Sequence, residues 1–356
     1  MKTSSISSLT VQNAMRLTIS DAQKQLSDSQ KEVTTGQYAD VGTALGGKTS
    51  SAVDLTSDSL RLQNLISTNA IAETRLDSSQ SALDQIAAAA EKVQQTLVGL
   101  GNSSDSTTLT SAQKTVVDAM DSFTSAANTS VNGEYLFAGV NTDVKPMADY
   151  NAVASDGTLS DAKQAFNQAF FSTFGMQPDD TNTSSISADD MTTFLTDTLE
   201  PMFTGSDWTS NWSSASDDTM TSRISKNELV QTSTSANSDG FRYFGLTSVI
   251  GSEIMSGNYS NDTRNAMIAK ATEYSGLAVS GINDERTQLG LSQERVKDAN
   301  TSLSAQKDII DTQLGHLTGV DAYEASTKIN NLQSLIETSY TLTSRLQKLS
   351  LVNYLS

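Results

Sequence analysis

Residues 55–100 read LTSDSLRLQNLISTNAIAETRLDSSQSALDQIAAAAEKVQQTLVGL, and their apolar positions decide the fold. Leu55, Leu62, Leu65, Asn69, Ala72, Leu76, Ser79, Leu83, Ile86, Ala90, Val93, Leu97 and Leu100 follow one another at alternating steps of three and four after a first step of seven. That period lays them along one seam of an α-helix, the pattern of a helix that supercoils on a partner. At 1.5 Å per residue the seam predicts a helix of roughly 70 Å. Gly99 and Gly101 end it, and 102–108 reads as a loop.

The same rhythm recurs on both sides. Upstream, Met15, Ile19, Ala22, Leu26, Ser29 and Val33 keep 4-3-4-3-4 spacing, separated from the long seam by Gly42, Gly46 and Gly47. A third helix is expected near 109–131, carrying Val116, Val117, Met120, Phe123 and Ala127. Downstream, Ile268, Ser275, Ile282, Leu289, Val296, Leu303, Ile310 and Leu317 recur every seven residues. After Gly319, Leu332, Leu335, Ser339, Leu342, Leu346 and Leu349 follow at 3-4-3-4-3. The three prolines, Pro146, Pro178 and Pro201, all lie in the middle, so both ends are free to run as long helices. A fully buried leucine contributes roughly 1.5–3 kcal/mol. One helix alone cannot bury such a seam, so the ends must pair with each other or with other subunits.

The centre differs. Asn132-Gly133 is a turn signal and Tyr135-Leu136-Phe137 favours strand. Residues 146–218 lack sustained periodicity, with short helices expected near 161–171 and 188–200, and 220–234 suggests a β-hairpin around Lys226-Asn227-Glu228. The expected fold is mainly α: a long antiparallel helical bundle or coiled coil formed by both chain ends, with a small irregular α+β inserted domain. The expected division is 1–40 with 318–356 as a terminal coiled-coil segment, 41–145 with 219–317 as a core bundle with a β-hairpin, and 146–218 as the inserted domain.

Composition narrows function by exclusion. Of 356 residues, 37% are hydrophobic and 18% charged, which suits thin, well-solvated elements better than a compact enzyme. The net charge of −18, with no Lys/Arg cluster, argues against nucleic acid and anionic membranes as partners. No apolar run approaches the roughly 20 residues of a membrane span. Cysteine is absent and His316 is the one histidine, which removes disulfides, thiolate sites and His-based triads. Residues 1–10 hold one lysine and no apolar stretch, unlike a secretory signal, which by itself points to the cytoplasm.

One catalytic pattern fits formally. Gly42, four residues, then Gly47-Lys48-Thr49 match the phosphate-binding G-x-x-x-x-G-K-[ST] loop, where amides cradle phosphates. That loop should follow a buried apolar strand, whereas 33–40 is polar and Thr-rich. It is read as a flexible turn, with nucleotide binding through Gly42–Thr49 a distant alternative. The Asp pairs 179–180, 189–190 and 217–218 lack calcium-loop spacing and read as turn and cap residues. His316 reads as a surface or capping residue, Glu273 and Glu285 as a solvated or salt-bridged helix face, and Trp208, Trp212 and Phe203 as a small core. No catalytic residue, cofactor or metal is assigned, and the chain is read as a non-enzyme.

Several segments resemble one family. Asn132-Gly133-Glu134-Tyr135-Leu136-Phe137-Ala138-Gly139 is similar to the N-G-x-Y-[IL]-F-[AS]-G segment of the bacterial flagellin and hook-associated protein 3 superfamily. Thr34-Thr35-Gly36 resembles its S-T-G after the first helix. Arg286-Thr287-Gln288-Leu289-Gly290 with Arg295 resembles its R-x-x-L-G-x-x-x-x-R. The ending Leu349-Ser350-Leu351-Val352-Asn353-Tyr354-Leu355 resembles its apolar tail. Where filament flagellins carry an acidic D-D-A-A-type segment, this chain has Ala44-Leu45-Gly46-Gly47-Lys48-Thr49-Ser50. That departure favours the hook-associated branch, with a filament flagellin as the alternative.

The resemblance implies a structural subunit at the hook–filament junction. It implies export through the flagellar type III apparatus without a cleaved signal peptide, which replaces the cytoplasmic reading with an extracellular flagellar one. The implied partners are further copies in a helical or ring lattice, flagellin, another hook-associated protein on the hook side, and a flagellar export chaperone. The heptad residues expected at the assembly interface are Met15, Ile19, Leu26, Val33, Leu335, Leu342, Leu346, Leu349, Val352 and Leu355.

Overall fold

The two ends of the chain meet as an antiparallel helix pair. The computed structural model describes the backbone of residues 8–101, 103–253 and 257–355, and the side chains of these from 10 to 345. It divides into two units, 1–64 with 303–356 and 65–302. The expected mainly helical class holds.

In the first unit, α1 (Ser8–Thr35) packs on α11 (Ala322–Leu355). Met15, Ile19, Ala22, Leu26 and Ser29 turn toward α11, which answers with Ala325, Leu332, Ile336, Ser339 and Thr343. Ala22, Ser29 and Ala325 are almost completely covered, so small side chains let the two backbones approach. The antiparallel sense is fixed at both ends. Thr343 lies against the Met15 sulfur at 3.7 Å, and Gln37 bridges Gly319. The connectors 36–40 and 319–321 are tied by Tyr38 N–H donating to the Thr318 carbonyl and Val320 N–H to that of Gly36, each at 3.0 Å. Asp40 caps the short α2 (Val41–Leu45) by accepting from the Thr43 amide at 3.0 Å. The start of α3 (Thr49–Leu100) and the end of α10 (Asn261–Thr318) also belong to this unit, where Ser59 donates to Asp311 at 2.6 Å.

In the second unit, the rest of α3 and α10 run antiparallel. The seam from Asn69 to Leu100 is buried at every position, and Ile268, Ser275, Ile282, Leu289 and Val296 are buried opposite. Ser79 and Ser275 are polar members of this packing, and at one end Asn69 Nδ2 donates to Asn300 Oδ1 and to the Ile224 carbonyl, both at 2.9 Å. An amide in a mostly apolar seam fixes alignment, because sliding the helices would leave it unpaired.

Helix α4 (Ser106–Ala127) starts at Asp105, which accepts from the Thr108 amide at 2.8 Å. Its Phe123 stacks on Phe244 at 4.1 Å between ring centres. Phe244 belongs to a later helix, α9 (Asp239–Glu253), buried at Gly240 and Phe241 and from Phe244 to its end. Between α4 and α9 lie two expected hairpins: β1 (Ser130–Val131) with β2 (Glu134–Tyr135), and β3 (Thr221–Arg223) with β4 (Leu229–Gln231).

The expected short helices of the middle are α5 (Asp161–Phe174) and a run composed of α6 (Ala188–Thr193), one π-helical turn (Phe194–Leu199) and α7 (Glu200–Thr204). Helix α8 (Asp207–Asn211) follows. Trp208 and Trp212 form a buried core rather than a surface patch, stacked at 5.7 Å with Tyr150 on the far side of Trp212. That core is continuous with α9. Trp208 Nε1 donates to Asn237 at 3.0 Å, and Arg242 donates to the Phe203 and Thr204 carbonyls at the end of α7.

Candidate assembly surface

Most of the residues that carry the family resemblance or the expected interface have a definite place among the described residues. The Asn132–Gly139 segment begins as a tight hairpin. Asn132 and Gly133 both have positive φ, 54° and 87°, as a primed two-residue turn requires. Leu136, Phe137 and Ala138 are then fully buried. Gly139 has φ 63°, and a Cβ there would collide with the carbonyls of Ser216 and Asp218. No local pattern signals the residue that holds this segment. Arg75 of α3 pairs with Glu134 at 2.8 Å and donates to the Tyr135 carbonyl at 3.1 Å. Burial is the main influence on its guanidinium and draws the pKa down, while Glu134 opposes that.

The Arg286–Gly290 segment sits on α10 facing α3. Arg286 pairs with Asp84 and donates to Asn283 at 2.8 Å, its own carbonyl accepts from Gln80 at 2.7 Å, and Leu289 is fully buried. Arg295 is exposed. Glu273 pairs with Lys270 at 2.9 Å, as a solvated helix face would. Glu285 departs from that expectation. It turns inward and accepts from the Thr234 hydroxyl, and burial, the dominant cause, raises its carboxyl pKa. Heptad position alone could not reveal this, because Thr234 is distant in sequence.

The phosphate-loop look-alike is built differently from a nucleotide cradle. Gly42 lies inside α2, Gly46–Lys48 form a 3-10 turn, and Thr49 opens α3. The Thr49 hydroxyl donates to the Gly46 carbonyl at 2.7 Å instead of facing a metal site. What precedes it is helix α1, not a strand. Two of the Asp pairs act at helix starts, where Asp180 accepts from the Asn182 amide at 2.8 Å and Asp190 accepts from the Ser187 hydroxyl at 2.7 Å, whereas Asp217 of the third accepts from the Asn237 side chain at 2.7 Å. His316 lies exposed in the last turn of α10. Among the described residues, no three His, Cys, Asp or Glu side chains cluster as a metal would need. No described helix is long and apolar enough to cross a membrane.

The expected interface residues divide into two rows. Met15, Ile19 and Leu26 are half-buried against α11. Val33, Leu335 and Leu342 are not; they are 39%, 45% and 44% exposed. The side chains of Leu346, Leu349, Val352 and Leu355 lie outside the described residues. The sequence spacing placed Leu332, Leu335, Ser339 and Leu342 on one seam, whereas the row facing α1 is Leu332, Ile336, Ser339 and Thr343. A two-helix pair covers only one narrow row of each member. With two adjacent apolar rows available on α11, the narrow surface of Ala22 and Ser29 takes the one that ends in small polar residues. Leu335 and Leu342 are left on the outer flank.

Comparison with known proteins gives this geometry a context. Residues 6–142 match the family model described as the bacterial flagellin N-terminal helical region, and residues 272–355 match the bacterial flagellin C-terminal helical region. No individually curated protein matches the sequence. Among solved structures, the chain is similar to a protein of Vibrio parahaemolyticus provisionally named as a flagellar hook-associated protein. The TM-score is 0.53 at 11% identity, covering 77% of this chain and 99% of that one. At that identity the likeness is one of fold.

Proposed function

The chain belongs to the bacterial flagellin family, and from that premise we propose that it is the subunit joining the hook side of the flagellum to the flagellin filament. It is a structural, non-enzymatic component of the extracellular flagellum. The observation that carries the junction reading is the shared fold with the Vibrio protein, whose chain is covered almost completely. The Ala44–Ser50 segment, where filament flagellins have acidic residues, supports it from the sequence side.

On this reading subunits pack through their helices in a tubular lattice, where contacts are heterologous and propagate along a helical path. Export through the type III apparatus, a chaperone that shields the terminal helices, and flagellin and a second hook-associated protein as neighbours belong to the same proposal. So do the ten interface residues and the three-part division of the chain, with 146–218 as the part free to vary. Deleting the gene tests the junction role. The expected cells bear hooks without filaments and release unpolymerised flagellin. Normal filaments in the deletion would overturn the proposal.

The family match itself favours a second reading, a filament flagellin. Seeds added to purified protein discriminate the two: a flagellin elongates them into long filaments, and a junction subunit stops after a short cap.

A further inference from the structure

Asn132-Gly133 is the only Asn-Gly pair in the chain, and in a flexible chain such a pair readily closes on itself. Glycine has no side chain to keep its amide nitrogen from the asparagine carboxamide. Both residues are exposed at the tip of the β1–β2 hairpin, so exposure alone would make Asn132 labile. The backbone says the opposite. Asn132 has φ 54° and Gly133 has φ 87°, and among the described residues Asn132 is the only non-glycine with positive φ. Closing a five-membered ring requires the Gly133 nitrogen to be nearly eclipsed with the Asn132 Cβ about the Cα–C bond. In the left-handed region, with ψ about +47°, that nitrogen stands nearly anti to Cβ and cannot reach the carboxamide carbon.

The hairpin is held in that conformation from both sides. Leu136 N–H donates to the Thr129 carbonyl at 3.0 Å and Tyr135 N–H to that of Thr142 at 2.8 Å. Arg75 pairs with Glu134 at 2.8 Å and donates to the Tyr135 carbonyl at 3.1 Å. Beyond them Leu136, Phe137 and Ala138 are fully buried, and the Gly139 backbone lies close against the carbonyls of Ser216 and Asp218. Rotating Asn132 far enough to react therefore means opening the hairpin against these ties. The register is also tight. Val131 pairs with Glu134 across a two-residue turn, and that turn type fixes how many main-chain atoms lie between the strands.

We propose that Asn132 is a self-deamidation site guarded by the fold: a chain that waits unfolded converts it, and the main product no longer forms the β1–β2 hairpin. The Gly133 nitrogen attacks the Asn132 Cγ. A nitrogen–Cγ bond forms, the Cγ–Nδ2 bond breaks, and Nδ2 leaves as ammonia with the proton that Gly133 gave up. Water then opens the cyclic imide. Opening at Cγ gives aspartate with an ordinary main chain. Opening at the main-chain carbonyl gives isoaspartate, in which the chain runs through Cβ and gains an atom between Val131 and Glu134. That atom displaces Glu134 from Arg75 and shifts the buried Leu136–Ala138 run. The inference does not depend on where in the flagellum the chain stands.

The full chain, folded or held unfolded in guanidinium chloride, is incubated at one mildly alkaline pH, and the peptide containing residue 132 is followed by mass and by enzymatic methylation of isoaspartate. Conversion should be at least tenfold faster in the unfolded chain, because the folded hairpin must open first. Equal rates would overturn the guarding role. Gly133→Ala, incubated unfolded so that its own stability does not matter, should convert at least tenfold more slowly, since a Cβ crowds the attacking nitrogen; an unchanged rate would exclude ring closure. After removal of denaturant, chains carrying isoaspartate should recover the fluorescence of Trp208 and Trp212 in a smaller fraction than the parent. Asn132→Asp has the charge of the product but an ordinary main chain, and should refold as the parent does. Full recovery of the isoaspartate chains, or an equal failure of Asn132→Asp, would overturn the claim that the added main-chain atom disables the hairpin.

Discussion

Replacing Gly281 by alanine should destabilise the second unit, although alanine is the better helix former. Helices α9 and α10 cross at Gly240 and Gly281 with no side chain between them. A Cβ on Gly281 would lie 2.7 Å from both the Cα and the N of Gly240, and one on Gly240 would lie 2.6 Å from the carbonyl carbon of Gly281. Ordinary contact begins near 3.4 Å, so the backbones must separate by several tenths of an ångström. Neither neighbour is a flexible side-chain end that could swing away. Overpacking of this kind costs roughly 1–3 kcal/mol, and backbone against backbone belongs at the upper end. Gly→Ala in a helix returns roughly 0.5–1 kcal/mol, leaving a net loss of about 2 kcal/mol.

Gly276 supplies the internal control on the same helix. Its Cβ would meet only the Gln94 amide nitrogen at 3.8 Å, so Gly276→Ala should gain roughly 0.5–1 kcal/mol. The two variants should therefore differ by about 2.5–3 kcal/mol, or roughly 1 M in urea midpoint if m is about 3 kcal/mol/M. Fluorescence is a suitable local probe. The only tryptophans are Trp208 and Trp212, and the Trp208 ring lies against Gly245 of α9. If Gly281→Ala unfolds at or above the urea midpoint of Gly276→Ala with the same m, the close crossing does not stabilise this unit and the reasoning is wrong.

Two further predictions concern buried polar groups. Asn69→Ala removes the donor to Asn300 and to the Ile224 carbonyl and should cost roughly 1–3 kcal/mol; hydrogen exchange should show β3–β4 losing protection first, and uniform loss across the unit would count against a local tie. Glu285 has a carboxyl pKa raised by burial, so the folded state holds its proton to higher pH than the unfolded chain does. Its unfavourable contribution is absent below the unfolded pKa and grows as pH rises through the folded one. Asp239 and Asp284 face the same group and add to the rise. Glu285→Gln should therefore gain melting temperature over the parent at pH 7 relative to pH 4, and a difference that does not move with pH would refute the assignment.

The long-range pattern was legible in the sequence because helix periodicity is a local property. The seam from Asn69 to Leu100 lies buried where the spacing placed it, and so do Ile268, Ile282, Leu289 and Val296. The hairpins at 130–135 and 221–231 announced themselves through Asn132-Gly133 and Lys226-Asn227. What stayed hidden depends on residues far apart in the chain. Arg75 is half-buried because Glu134 and Tyr135 come to it, and Glu285 because Thr234 does. Gly240 and Gly281 carry no local signal at all, since a glycine inside a helix reads as a weakness until another backbone is found against it.

The terminal helices show a different limit, set by symmetry of pattern rather than by distance. A heptad states that a row must be covered but not by what. Along α11 two rows overlap, sharing Leu332 and Ser339 and diverging at Leu335 against Ile336 and at Leu342 against Thr343. Leucine at 335 and 342 makes the outer row the more hydrophobic, and hydrophobicity alone would assign it to the fold. The structure assigns the other row to α1, because Ala22, Ser29 and Ala325 bring the helices too close for leucine at every step. A chain that folded only for itself would gain by turning its larger residues inward. Leaving them outside preserves the close approach of the two backbones at Ala22, Ser29 and Ala325.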